Sequence, residues 1–462
     1  MRTQVFTMFF DLSDRIAHNP PALHYGVAAV DLDGDGVAEF VVAGFGGPNR
    51  VLKWANGRLV DVAPPELADP GRQAIGLAAA DIDGDGRDEL YVLNTDTFAG
   101  PKRFADRLFA RGPDGRWEDL FERPANATVR NLAAGWSVAA IDRRGTGRYG
   151  FVVANYGRPL RLYEAGPGGT LTDLAPSLRM DRTVGGRGLW VGPVVSDRSD
   201  VFCTAERGPN LLFQNLGDGH FAEAAAEYGL ADPDEHARGV AGLDADGDGR
   251  LDLCWGNWDG PNRLMVRQVD GTFRDRATPA LALPGPVRTV VAADFDNDGA
   301  EELFFNLLGV PNRLFGRRDD GWRLLDPGPA ADPDGLGTGA AVADMDGDGV
   351  LELLIAHGEG APQPLSLFKA ASAGRWVRVR PLTRHGAAAR GAVVRLTAGG
   401  REQVRVIDGG SGYLGQMEPV AHFGLGALDR AEAVSVTWPD GCRHTLRGVP
   451  AGADVRMPHP GG

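Results

Sequence analysis

Asp31-Leu32-Asp33-Gly34-Asp35-Gly36-Val37-Ala38-Glu39-Phe40 is the stretch whose reading decides the fold. Three carboxylates stand at alternate positions, a glycine follows the third, and a fourth carboxylate comes three residues later. Groups of one charge packed this closely repel one another unless a cation sits among them. Hard oxygen donors at this density suit calcium, which takes six to eight oxygens, better than magnesium, which keeps its waters. Glycine at the sixth position permits a positive φ for a sharp bend. The backbone carbonyl of the seventh residue is the expected fifth protein ligand.

The stretch recurs at Asp81, Asp244, Asp294 and Asp344. Steps of 50 residues separate the first two and each of the last three, and the gap of 163 residues from Asp81 to Asp244 has room for two further units. Both are found, around Asp142 and around Asp197, with their apolar flanks kept and their acidic loops lost. Five metal sites are therefore expected. Their ligands are Asp31, Asp33, Asp35, Val37 and Glu39; Asp81, Asp83, Asp85, Arg87 and Glu89; Asp244, Asp246, Asp248, Arg250 and Asp252; Asp294, Asp296, Asp298, Ala300 and Glu302; Asp344, Asp346, Asp348, Val350 and Glu352. The Asp142 unit, with Arg143, Thr146 and Gly150 read at ligand positions, and the shortened Asp197 unit are expected to hold none. An EF-hand starts with the same letters but needs a Glu at position twelve and helical flanks. Position twelve here is Val42, Val92, Trp255, Phe305 or Ile355, and the flanks are β-rich.

Each unit has one grammar. A segment of small apolar residues precedes the loop, a second apolar run follows it, then a turn such as Gly47-Pro48-Asn49-Arg50, a strand ending like Leu314-Phe315, and a last strand after a glycine hairpin. Short β-rich runs punctuated by Gly, Pro and Asn read as strands. Four strands per ~50 residues, repeated, is a propeller-blade pattern. The unit after Asp344 lacks its fourth strand, and Phe9-Phe10-Asp11-Leu12 resembles the fourth strands elsewhere. The fold expected is all-β: a seven-bladed β-propeller over residues 1–372, closed by the N-terminal strand, followed by a small β domain over 373–462.

Composition fits this reading. Of 462 residues 66 are glycine, as many turns require, and the formal net charge is −14 from 62 acids and 48 bases. Expected ligands account for 20 of those acids, so the remaining 42 face the 48 bases, and five calcium ions would bring the charge to −4. An acidic chain lacks the basic footprint of a nucleic-acid binder. No run of ~18 apolar residues is present to cross a membrane. The start, Met1–Arg15, shows no long apolar region with an A-x-A-like cleavage site and is not read as an export signal. Cys203, Cys254 and Cys442 are odd in number and far apart, which is not a disulfide framework. Lysine occurs only at positions 53, 102 and 369, the arginine bias of a GC-rich genome, and the chain is expected to be bacterial.

With these residues in hand, the repeats resemble the FG-GAP/VCBS repeats of integrin-alpha-like seven-bladed propellers. The tail adds Trp376-Val377-Arg378-Val379, Arg390-Gly391-Ala392, Gly409-Gly410-Ser411-Gly412-Tyr413-Leu414, His422-Phe423-Gly424-Leu425-Gly426 and Trp438-Pro439-Asp440-Gly441. These blocks are similar to the ASPIC/UnbV domain that follows such repeats in the cartilage-acidic-protein-like family. The resemblance implies a secreted protein, whereas the missing export signal leaves a cytoplasmic one open. It also implies that ligands approach the face opposite the calcium loops.

The loops on that opposite face supply Tyr25, Arg72, Arg130, Arg187, His236, Arg238, Trp258, Arg288 and His357 as candidate ligand-binding residues, with Glu206, Asp259 and Glu359 nearby in sequence order. Arginines there can grip carboxylate, phosphate or sulfate groups. Asp408, Ser411 and Tyr413 read first as a turn-forming signature. No nucleophile elbow, zinc-protease motif, P-loop or dinucleotide fingerprint occurs. His24, His236 and His357 with Glu206 or Asp259 are the acid–base set to weigh, and Tyr25, Trp136, Trp190 and Trp258 the candidate walls of an apolar pocket, Trp136 and Trp190 reading equally well as core. The reading is a calcium-binding scaffold whose partner is a protein, a glycan or an anionic small molecule. The alternative is a cytosolic cyclase- or lyase-type enzyme of bacterial natural-product biosynthesis using the same mouth.

Overall fold

The computed structural model describes residues 7–318 and 321–462. Residues 1–6, part of the stretch read above for an export signal, lie outside them. The fold is all-β, and each repeat forms an antiparallel four-stranded sheet. In the first, His24–Val30, Glu39–Gly44, Arg50–Ala55 and Arg58–Asp61 pair in sequence order. The units around Asp142 and Asp197 follow the same order, and their sheets are joined where Tyr156–Pro159 pairs with Thr183–Gly185. The last unit supplies Gly337–Ala343, Glu352–His357 and Ser366–Ala370, and Phe9–Asp11 pairs antiparallel with the third of these.

The first strands explain why the sheets gather as they do. They carry small side chains, as in Val27-Ala28-Ala29-Val30, Leu77-Ala78-Ala79-Ala80 and Val290-Val291-Ala292-Ala293. Successive first strands pack on one another, and Gly337–Ala343 packs back on His24–Val30. Larger residues alternate outward along the second and third strands and fill an apolar core between each sheet and the next. Trp190, read from the sequence as a pocket wall, belongs to one of these cores with Phe202 and Trp255. Cys203 and Cys254 are buried free thiols. Phe9 is fully buried against the rings of Phe295 and Phe304, at centroid distances of 4.9 and 6.0 Å.

From Arg375 onward the chain builds two further sheets. Arg375–Pro381 lies between Ala421–Gly426 and, in parallel, Ala453–Met457. Val393–Ala398 lies between Arg401–Val406 and Arg430–Thr437, which in turn pairs with Arg443–Pro450. Both pack on one core that includes Val379, Leu396, Phe423, Val434 and Trp438.

This tail does not hang free. It sits on the acidic-loop side of the repeats and sends residues 409–417 down the axis between the first strands. Gly409 N–H donates to Val191 O at 2.8 Å, and its carbonyl accepts from Ala140 N–H at 2.7 Å. Gly412 and Val240 exchange two bonds of 2.7 and 2.8 Å. Leu77 N–H donates to Leu414 O, and Gln416 bonds Val27 and Ala29 through its backbone and Ala79 through its side chain. The glycines are required by proximity: a Cβ on Gly409 would meet Ala140 O at 1.9 Å, and one on Gly415 would meet Val27 O at 2.1 Å. The turn signature read at Ser411 and Tyr413 is thus an axial insert.

Two outcomes follow for stability in denaturant titrations. Phe9→Ala empties a sealed site between sheets and is expected to cost ~3–5 kcal/mol. Gly409→Val places side-chain atoms on a backbone oxygen. It is expected to lower the unfolding midpoint further than Gly47→Val, where no positive φ is required and nothing lies within 4 Å.

Candidate functional site

The five acidic loops are built alike. The first aspartate accepts backbone N–H groups from inside the turn, as Asp31 does from Gly34 and Gly36, both at 2.7 Å. The third position caps the fifth and the fifth caps the seventh, as Asp35 N–H donates to Asp33 at 3.2 Å and Val37 N–H to Asp35 at 2.9 Å. The ninth, at the start of the second strand, accepts from the residue after the first: Leu32 to Glu39, Ile82 to Glu89, Ala245 to Asp252, Phe295 to Glu302 and Met345 to Glu352, at 2.8–3.0 Å. The turn thus engages both oxygens of the leading aspartate in four of the loops, as at Asp31, and one oxygen of the Glu at the ninth position. Carboxylate oxygens converge within 4.8 Å in Asp31/Asp33/Glu39, Asp81/Asp83/Asp85, Asp244/Asp246/Asp252 and Asp294/Asp296/Glu302.

Burial makes these groups costly as anions. It pushes Glu39 and Asp252 up to about 7, Glu352 up to about 8 and Glu89 up to about 9. Glu302 Oε1 and Asp294 Oδ1 are buried without a hydrogen-bond partner, an arrangement that fits a cation ligand set. The chain offsets part of the charge itself. Lys53 reaches Asp33, Asp35 and Glu39, and Lys369 reaches Asp346, Asp348 and Glu352, the last at 2.6 Å. Arg378 and Arg405 of the tail meet the leading aspartates Asp344 and Asp294.

The two units expected to lack metal ligands do so for different reasons. In the fourth, Asp200 occupies the ninth position, not Asp197, and both its oxygens are satisfied by Val195, Ser196 and Asn215 at 2.6–2.9 Å. In the third, the register Ile141↔Gly150 matches Val30↔Glu39, so Arg144 rather than Arg143 replaces the second carboxylate.

At the opposite end of the axis each first strand carries a bulge, and a bulge re-aims a side chain. The bulged residues include Tyr25, Trp136, Arg187, Arg238 and Arg288. Tyr413 of the axial insert closes this mouth from below, its ring parallel to Trp136 and its hydroxyl 3.4 Å from Arg187. Arg187 lies 3.9 Å from the Trp136 ring centre and pairs with Glu206 at 2.8 Å, and Arg238 reaches the same carboxylate at 3.2 Å. Arg288 pairs with Glu359 at 2.5 Å, and both Arg238 and Arg288 face Trp258. Arg238 and Arg288 keep buried Nε atoms without partners. Phe98, 56% exposed, caps Tyr156 and Arg187, an aromatic contribution that the repeat pattern did not reveal.

The structure brings together three of the five mouth arginines. Arg72 is drawn to Asp69, and Arg130 is tied to Phe121 O and Glu122, so neither adds charge to the centre. His24 and His357 are sealed, and burial holds both down to about 4. His357 Nε2 is 3.0 Å from Ser366 and 3.4 Å from Asp332, whereas His236 pairs through its backbone with Glu206. These histidines do not face one reacting centre, and the acid–base reading has no geometry to stand on.

Comparison with known proteins agrees with the repeats and the tail. The FG-GAP-like repeat model matches residues 13–92, 196–255 and 244–305, and the ASPIC and UnbV model matches 383–462. The chain is 48% identical to Cartilage acidic protein 1 of Xenopus tropicalis over 96% of its own length and 75% of that protein. It is 48% identical to the human protein of that name, over 92% and 70%. Among solved structures, the BP39L lectin of Burkholderia pseudomallei aligns with 75% of this chain and 99% of its own at 14% identity and a TM-score of 0.49, a likeness too low to carry an argument. The reading of a bacterial chain is overturned, because these relatives, matched over 75% and 70% of their own lengths, are animal proteins. The chain belongs to the cartilage acidic protein 1 family, with FG-GAP-like repeats followed by an ASPIC/UnbV domain.

Proposed function

We propose that this chain is a calcium-stabilised, seven-bladed propeller, closed by its N-terminal strand over residues 1–372. Its ASPIC/UnbV domain, 373–462, locks the axis, and the whole serves as a binding scaffold. The seven inter-sheet cores among the described residues and the pairing of Phe9–Asp11 with Ser366–Ala370 support the closed ring. Family membership and the propeller-type fold support a binding role. No helix among the described residues is long and apolar enough to cross a membrane.

Calcium would be held by the carboxylates at positions one, three, five and nine of the five loops and the carbonyls of Val37, Arg87, Arg250, Ala300 and Val350. When bound it supplies positive charge that cancels the carboxylate repulsion. The observation that carries this is the orphaned pair of oxygens on Asp294 and Glu302. Two positive side chains already probe the equivalent space in the first and seventh loops, as a charge-hungry site would require.

The ligand would sit at the other end, over Arg187, Arg238, Arg288 and Trp258, with Tyr25, His236 and Phe98 at the rim. Arginine and aromatic side chains together are the composition of binding hot spots. Three guanidinium groups against two carboxylates leave the centre positive, which selects a partner offering an anionic group beside an apolar face, on a protein, a glycan or a small molecule.

Removal of calcium with a chelator is expected to lower the melting temperature. A site occupied at 100 times its dissociation constant contributes about 2.7 kcal/mol. Glu302→Gln should remove one ion in direct metal analysis and shrink the calcium-dependent gain in melting temperature; an unchanged ion count would overturn the assignment. At the mouth, Arg238→Ala and Trp258→Ala should each weaken partner capture at least tenfold while leaving the calcium count unchanged.

A further inference from the structure

The third unit carries the turn of the acidic loops with its charge inverted. Asp142 plays the part of the leading aspartate: it is buried and accepts Thr146 N–H at 2.9 Å and Gly147 N–H at 2.6 Å. Gly145 and Gly147 hold the positive φ values, 69° and 75°, that the bend needs. Where the other loops set carboxylates at the third, fifth and ninth positions, this one sets Arg144, Thr146 and Gly150. A backbone that elsewhere gathers oxygen anions here presents a cation and a hydroxyl.

The surroundings complete a recess. A groove of about 480 Å³ opens above the loop, with Arg144, Arg148 and Thr146 on one wall and Arg384 and His385 of the tail on the other. Arg144, Arg148 and Arg384 are exposed. The acids present are already spoken for. Glu164 is paired by Arg143 at 2.5 and 3.1 Å, and Asp142 serves its own turn. Asp440, beside Arg384 at 3.0 Å, is also met by His459 at 2.9 Å. Among the described residues Arg144 and Arg148 have no carboxylate partner, and Arg148 packs against Gly84 of the neighbouring acidic loop. Arg143 is anchored by donating to Gly219 O at 3.0 Å. Guanidinium groups on two walls, with the lining acids Asp142 and Glu164 already engaged, match the oxygen spread of tetrahedral oxyanions.

We propose that this groove, at the seam of the third repeat and the tail, is a binding site for clustered sulfate or phosphate esters, separate from the acidic loops and from the mouth. Thr146 adds a hydroxyl donor to the recess. The inference does not rest on the mouth as a ligand site.

The test is calorimetric titration of the full chain, at fixed calcium and ionic strength, with sucrose octasulfate in one arm and fructose 1,6-bisphosphate in the other. Binding in either arm is expected, and the tighter arm names the ester. R144A/R148A, two exposed positions outside the acidic loops, should weaken that binding at least tenfold and keep the wild-type melting temperature in the absence of probe. Arg238→Ala at the mouth should leave it within twofold. Failure of both probes to bind the wild-type chain overturns the proposal. So does binding that survives R144A/R148A, or binding lost only on Arg238→Ala, which would move the ligand to the mouth.

Discussion

Like charge held out of water is the constraint on which this architecture turns. Each acidic loop places a carboxylate at the root of the second strand, where it is nearly or fully buried: Glu39, Glu89, Asp252, Glu302 and Glu352. Ionised groups in such places are unstable unless something positive or an N–H donor answers them. The loop answers with one N–H per carboxylate and leaves the remaining charge unmet. Lys53, Lys369, Arg378 and Arg405 take up part of it, two from the repeats and two from the tail. The same electrostatic deficit is met in the hairpins by lysine side chains of the repeats and by arginines of the C-terminal sheets, which pack on this side of the molecule.

The two ends of the axis consequently have different work. The acidic-loop end is covered by the tail and is a structural joint. The mouth is lined by residues that first-strand bulges turn out of the ladder. Arg187, Arg238 and Arg288 sit on three successive bulges, while Tyr25 and Trp136 occupy the same place in the first and third units. One geometric device, repeated, presents a graded rim from aromatic to basic.

Much of this was legible in the sequence, because repetition is a strong signal: one acidic loop is a turn, whereas five in register are a design. The strand order, the missing fourth strand of the last unit and the pairing of Phe9-Phe10-Asp11 were readable for the same reason. What failed to show was what depends on neighbours distant in sequence. Arg72 and Arg130 looked like mouth residues until Asp69 and Glu122 were seen to hold them aside. Trp190 read equally as wall or core, and its packing with Phe202 and Trp255 makes it core. In the third loop Thr146 and Gly150 were read in register, but Arg143 was taken for the third position in place of Arg144 because two arginines follow Asp142, and the pairing of Ile141 with Gly150 fixes the alignment. The axial course of residues 409–417 was hidden because their glycines serve a close approach to Ala140 and Val27, over 250 residues earlier, and proximity of that kind leaves no local periodicity.

The axial insert also bears on the order of events as the polypeptide is made. Translation delivers every repeat before residues 409–417 exist. Until that segment emerges, the amides of Leu77, Ala79, Ala140 and Val240 have nothing at the centre to bond. Repeats assembled ahead of it would enclose a wet bore lined by these amides, which residues 409–417 then fill.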